Sequence, residues 1–306
     1  MIAAGVLLSG CGQPQESQDP RTHGSSSSTA VAPASSPPPS AEVPGSASST
    51  SSAKSPKALA APLTTGSAVN QQLAPEINPA SLPVGSLYRN PANGRDEVIV
   101  ADIRHTVVLI GDSQSEPVTG WPRQGLAAMG YNVHFCGLGG TGFVAANGKT
   151  GNYIDALQRG DWKLPFGSPS LLVIEGGGND AARGATDAQI VANAERLILS
   201  LRQRYPGTKL AMIGTLARGT SYGGGRRTQV DSLLGTIAAR NSIPFVSVGD
   251  WLTKYDQAKN LADGVHMNAT GHKALGLLLA GRLKELGLEA PKDNFLDSIV
   301  RHGLAP

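Results

Sequence analysis

Cysteine is nearly absent from this chain of 306 residues: Cys11 and Cys136 are the two present. So few thiols exclude a disulfide framework and a thiolate zinc cluster. Aromatic residues make up 5% and charged residues 16%, with a formal net charge of +3. No basic stripe is interleaved with aromatic side chains, so the footprint of a nucleic-acid-binding surface is missing. Long apolar runs are missing as well, and the N-terminal "MIAAGVLLSGC" is too short to cross a bilayer. Cys136 lies in "NVHFCGL", an apolar strand pattern in which a small buried thiol is expected rather than a nucleophile.

What the first quarter does contain is Ser, Pro, Ala, Gly and Thr, as in "HGSSSSTAVAPASSPPPS". Too few large apolar side chains occur there to offset the chain entropy lost on ordering, so residues 12–80 are expected to form a disordered tether. The stretch before it ends in Leu8-Ser9-Gly10-Cys11 and resembles a bacterial lipobox. That resemblance implies a signal segment at 1–11 and a lipid on Cys11, hence attachment to the extracytoplasmic side of the cell membrane, or secretion if the segment is inert. No basic residue precedes the apolar run. Residues 81–104 are expected to connect the tether to a folded domain at 105–306.

In that domain short apolar β-branched runs alternate with segments of helical period, the pattern of a parallel sheet with crossover helices. The strand candidates are "TVVLIGD", "NVHFCGL", "SLLVIEGG", "KLAMIGTL" and "PFVSVGD", each running into Gly, Asp or Asn. Thr186 is a fair N-cap for the helix that follows it, and Thr270 for the last one. The expected fold class is α/β, a three-layer α/β/α sandwich around a five-stranded parallel sheet. In such sheets the polar residues at the carboxyl ends of the strands form the ligand crevice.

The first strand candidate leaves through "IGDSQS", which puts Ser113 at one of those ends. Alone, Gly-Asp-Ser is an ordinary turn, because glycine tolerates positive φ and Asp and Ser side chains bond nearby amides. An activated serine needs more: a general base, a group that orients the base, and donors for an oxyanion. "LADGVHMNATGHKALG" supplies Asp263 and His266 three positions apart, "EGGGND" supplies the amide of Asn179, and "GLGGTG" supplies accessible backbone N–H groups. His272 is expected to be structural.

These segments resemble the four blocks of the SGNH, or GDSL, hydrolase family, matched in order between about residues 106 and 287. The resemblance implies a flavodoxin-like fold and an acyl-enzyme mechanism. It makes Ser113 the nucleophile, His266 the general base and Asp263 its orienting partner. The oxyanion hole would comprise Ser113 N–H, Asn179 and the glycine of the second block, which falls on Gly140 with Gly139 adjacent. The family includes lipases, thioesterases, carbohydrate deacetylases and enzymes that move acyl groups between sugars.

Two other motifs point elsewhere. Gly137, Gly139 and Gly142 satisfy the dinucleotide fingerprint, but they follow the second strand candidate, and Asp155 and Asp161 fall in a helix and a loop instead of at the next strand end. No cofactor and no metal is expected. Gly219, Ser221 and Gly223 satisfy Gly-x-Ser-x-Gly, yet no strand feeds directly into Ser221 as a nucleophile elbow requires. "ARGTSYGGGRR" is expected to be a loop over the crevice, with Arg218 and Tyr222 as substrate contacts, and Trp121 is a candidate pocket wall or core residue. The expected function is hydrolysis of short acyl esters, such as acetyl, on envelope glycans or glycolipids by a monomeric domain that binds no nucleic acid. Transfer of the acyl group to a sugar hydroxyl and non-catalytic envelope binding are the alternatives.

Overall fold

The computed structural model describes residues 77–292. Cys11 and the tether up to residue 76 lie outside the described residues, as do residues 293–306.

The described chain begins with a hairpin, β1 (Leu87–Asn90) and β2 (Arg95–Val98), paired antiparallel. Five parallel strands follow: β3 (Thr106–Gly111), β4 (Asn132–Gly137), β5 (Leu171–Glu175), β6 (Lys209–Ile213) and β7 (Phe245–Val246). Their spatial order is β4-β3-β5-β6-β7. The helices are α1 (Trp121–Ala128), α2 (Tyr153–Arg159), α3 (Gly178–Ala182), α4 (Asp187–Arg204), α5 (Gly225–Arg240), α6 (Trp251–Lys254) and α7 (Ala269–Glu285). This is the α/β/α sandwich expected from the alternation, and every strand candidate contributes a strand.

Period-two alternation explains the layers. Val108, Ile110, Leu172, Ile174 and Met212 point to one face, where they pack with Tyr153 of α2, Leu197 of α4 and Leu234 of α5. Val107, Leu109, Leu171, Val173 and Ile213 point to the other, against Trp121 of α1, Trp251 of α6 and Leu279 of α7. Strands buried on both faces read as continuous apolar runs, and all six residues of β3 are buried.

The chain steps from β3 to β4 in one direction and builds β5, β6 and β7 in the other, so the switch of direction lies between β3 and β5. Ligand crevices of open α/β sheets form at such a switch, outside the carboxyl ends of the strands. Ser113 follows β3 and Asn179 follows β5, so both belong to that crevice.

Helix ends follow the local chemistry. Thr186 caps α4 in a full capping box with Gln189. The cap of α7 is Asn268, whose side chain accepts from Gly271 N–H, and not Thr270. Thr270 already lies within the helix, where its hydroxyl cannot reach the first-turn amides as a cap does.

Residues 81–104, expected only to connect, carry the hairpin, and β2 is tied into the domain. Val98 N–H donates to Leu164 O and Phe166 N–H to Val98 O, both at 2.9 Å. Glu97, 1% exposed, accepts from Asn90, Asn93 and the Arg204 guanidinium at the end of α4. Removing one partner of a buried ion pair strands the other, at a cost of about 3 kcal/mol or more. Glu97→Ala is therefore expected to lower the unfolding free energy measured in urea by that much, seen as a lower midpoint at an unchanged slope; an unchanged midpoint would mean that the Glu97–Arg204 pair contributes nothing to stability.

Candidate active site

Ser113 stands in the turn that leaves β3. Asp112 closes the turn, its Oδ1 accepting from Gln114 N–H at 2.9 Å and its carbonyl from Ser115 N–H and Glu116 N–H. The serine is thereby held half-buried above the sheet edge, and its own N–H makes no hydrogen bond among the described residues.

The second component is the loop before α7. His266 Nε2 lies 2.9 Å from Ser113 Oγ, and His266 Nδ1 lies 2.8 Å from Asp263 Oδ2. The other carboxylate oxygen accepts from Val265 N–H at 2.6 Å and His266 N–H at 2.7 Å. Led by the imidazole hydrogen bond and followed by these two amides, the contacts hold the Asp263 carboxyl well below the usual carboxylate range. It is anionic at neutral pH, so Nδ1 carries the hydrogen and Nε2 is left to accept from the serine hydroxyl. The loop is pinned by Ala262 N–H to His266 O at 2.8 Å and by Gln114 Nε2 to Val265 O at 3.1 Å. Gln114 thus joins the nucleophile turn to the imidazole loop across the crevice.

On the oxyanion side, the structure distinguishes the two adjacent glycines. Gly139 N–H already donates to Glu116 Oε2 at 2.7 Å, whereas Gly140 N–H makes no hydrogen bond among the described residues. Gly140 has φ +79°, a left-handed value that a side chain would oppose. Asn179 sits in α3 behind Gly177, whose φ of +96° turns the chain sharply out of β5. Its Nδ2 donates to Thr141 O at 2.9 Å and to Asp112 Oδ2 at 3.1 Å. Both amide hydrogens are therefore engaged, and an oxyanion takes one by displacing or sharing an acceptor.

Residues 106–274, more than half of the chain, match the GDSL-like lipase/acylhydrolase family. The chain belongs to that family. A multidomain esterase of Ruminococcus flavefaciens is 28% identical over 134 residues, which are 42% of this chain and 17% of that protein, so the chain spans under a fifth of this relative. Among solved structures, a family two carbohydrate esterase from Clostridium thermocellum in complex with cellohexaose is similar at 16% identity and TM-score 0.45, covering 64% of this chain and 69% of that one. A member of the lipolytic protein G-D-S-L family from Veillonella parvula gives 18% identity and TM-score 0.45, covering 59% and 97%.

Of the residues singled out in this GDSL-family chain, Ser113, His266, Asp263, Gly140 and Asn179 meet at the crevice, and three others do not. Trp121 is fully buried, packing on Trp251 and donating from Nε1 to Gln114 Oε1, so it is core and not pocket wall. Arg218 and Tyr222 line a separate hollow with Asp231, Asp250 and Lys254, because the loop after β6 folds toward α6. Ser221 lies in a short 3-10 turn, exposed, with no hydrogen bond from its hydroxyl among the described residues. His272 accepts from Trp121 N–H at 3.1 Å, a structural bond. Cys136 is buried, which pushes its thiol up to about 12.

Asp180, Asp112 and Glu175 have roles that the sequence did not expose. Asp180, fully buried, accepts from the N–H groups of Phe143, Val144 and Ala145 at 2.9, 2.7 and 2.8 Å, fixing the segment that follows Gly140. It is the residue after Asn179 in "GGND", so its position in the motif was the available signal. Behind Ser113, the Asp112 carboxyl faces that of Glu175, which accepts from Ser115 Oγ at 2.7 Å and from Asp112 N–H. Burial raises both acids: Asp112 to about 6, against the opposing pull of Gln114 N–H and Arg227, and Glu175 well above the usual carboxylate range, with the Asp112 charge adding to burial.

Between 3.8 and about 6 the folded chain retains a proton at Asp112 that the unfolded chain has released. Stability therefore falls as pH rises through this window. Asp112→Asn cannot titrate, so its stability relative to wild type should rise by about 2 kcal/mol between roughly pH 4 and pH 7. Urea unfolding at the two pH values checks this. The lost acceptor for Asn179 shifts both values alike, and a difference that does not change with pH would remove the raised carboxyl from the account.

Proposed function

We propose that this domain is a serine esterase that cleaves short acyl esters, such as acetyl groups on glycans, through an acyl-enzyme on Ser113. The observation that carries the proposal is the continuous relay from Ser113 Oγ to His266 Nε2 at 2.9 Å and from His266 Nδ1 to Asp263 at 2.8 Å. As the hydroxyl attacks the ester carbonyl, His266 takes its proton, and Asp263 stabilises the imidazolium. The tetrahedral oxyanion is met by Ser113 N–H, Gly140 N–H and Asn179, and collapse expels the alcohol with the proton from His266. Water, activated by the same imidazole, then releases the acid and restores the hydroxyl.

A short acyl group is supported by the crevice itself. Its cavity volume is about 10 Å³, and Leu216 and Val265 are the large apolar side chains lining it among the described residues, so a long alkyl chain would find little room there. Attachment through a lipid on Cys11, with the tether letting the domain reach acylated glycans of the cell envelope, belongs to the same proposal and rests on the sequence pattern alone.

Hydrolysis of p-nitrophenyl acetate tests the chemistry, and Ser113→Ala should abolish it; retained turnover would move the nucleophile elsewhere. Asn179→Ala should lower kcat by roughly a hundredfold with KM little changed, because its amide matters most once the oxygen is an anion. Measuring the thermal midpoint alongside separates that result from loss of fold. Normal turnover per folded molecule would take Asn179 out of the oxyanion hole.

A further inference from the structure

Two neighbouring arginines open α5, and they are used differently. Arg226 pairs with Asp187 at 2.7 Å and donates to Ala185 O at 2.8 Å, joining α5 to α4. Arg227 makes no ion pair and no hydrogen bond among the described residues, although it is partly buried. A flexible guanidinium loses rotamer freedom when it is held in place, and among the described residues no hydrogen bond or ion pair compensates for that loss, its charge acting only at longer range on Asp112.

Its position is at the reaction centre. Arg227 lines the same crevice as Ser113, Asn179, Thr215 and Leu216, on the side of the nucleophile toward β6. Gly140 lies on the opposite side, after β4. The guanidinium lies close over Gly178: a Cβ there would stand 2.7 Å from Arg227 Nη1, so a side chain at that position would make the guanidinium shift.

We propose that Arg227 is a specificity residue that binds a carboxylate carried by the ester substrate, making the preferred substrate class acylated acidic sugars of the uronic acid kind. This rests on the esterase reading above and extends it from the ester to the group beside it. A guanidinium presents a planar fork of donors that a carboxylate fills with two parallel hydrogen bonds, and a neutral sugar cannot replace those bonds. The competing role for Arg227 is internal: its charge also opposes the rise in the Asp112 pKa. That role would affect every ester alike, whereas a carboxylate contact affects acidic esters selectively.

The readout is the ratio of kcat/KM for O-acetylated glucuronic acid to that for O-acetylated glucose. The wild-type chain should favour the uronate, and Arg227→Gln should lower the ratio by roughly tenfold to a hundredfold, the range of a charge-assisted contact. Arg227→Lys, which keeps the charge and loses the fork, should recover part of it. A wild-type ratio at or below one, or an equal loss on both esters in Arg227→Gln, overturns the proposal. Calorimetric binding of the same two sugars to Ser113→Ala, with and without Arg227→Gln, separates the two readings. If the wild-type chain cleaves no ester, the esterase reading fails, while uronate binding that depends on Arg227 still supports the carboxylate contact. Equal binding of both sugars refutes it.

Discussion

The carboxyl of Asp112 is the constraint on which the candidate site depends. It lies buried where β3 and β5 end side by side, one oxygen closing the turn that presents Ser113 and the other receiving the amide of Asn179. Nucleophile and oxyanion donor come from strands far apart in sequence, and this single side chain sets their separation. Burying a carboxyl is unfavourable unless its oxygens are satisfied. Here backbone and side-chain donors do that on both sides, while burial holds the carboxyl up at about 6 and its charge in turn raises that of Glu175 behind it. Local stability is thus lower than an apolar filling would give, in exchange for fixed geometry at the switch point of the sheet.

The two halves of the site are built on different physical terms. The oxyanion half is interior: Asp180 collects three amides beyond Gly140, and Asn179 is tied to Thr141 and Asp112, so its donors are preorganised by buried hydrogen bonds. Preorganisation of this kind keeps the donors from relaxing when charge develops. The acid-base half is a surface loop, held by Ala262, Gln114 and the start of α7. Asp263 is exposed, yet its three hydrogen bonds keep it anionic. An exposed base stays in contact with water, which the second half-reaction consumes.

Much of this was legible in the chain itself. The apolar runs located all five strands because a strand buried on both faces has to be apolar throughout, and the residues after those runs were the ones that meet at the crevice. Gly-Asp-Ser, Gly-Gly-Asn-Asp and Asp-x-x-His are local patterns, and local patterns survive into the fold when they sit at strand ends. Less legible were positions whose role is set by distant neighbours. Trp121, a candidate wall, became core because Trp251 and Gln114 receive it. Arg218 and Tyr222 turned toward Asp250, while Arg227, inside an ordinary helical pattern, faced the crevice.

By itself, then, the sequence determined the alternation of layers, the strand that carries Ser113, and the identity of the groups that meet it, since burial periodicity and turn chemistry are properties of contiguous residues. Tertiary structure alone decided which of two adjacent glycines keeps a free N–H, because Gly139 is taken by Glu116, 23 positions away. It also decided that a buried acid pair backs the nucleophile, and which arginine enters the cleft, close over Gly178. Those outcomes depend on how β3, β5 and α5 lie against one another, and contacts between elements so distant in the chain leave no pattern within any one of them.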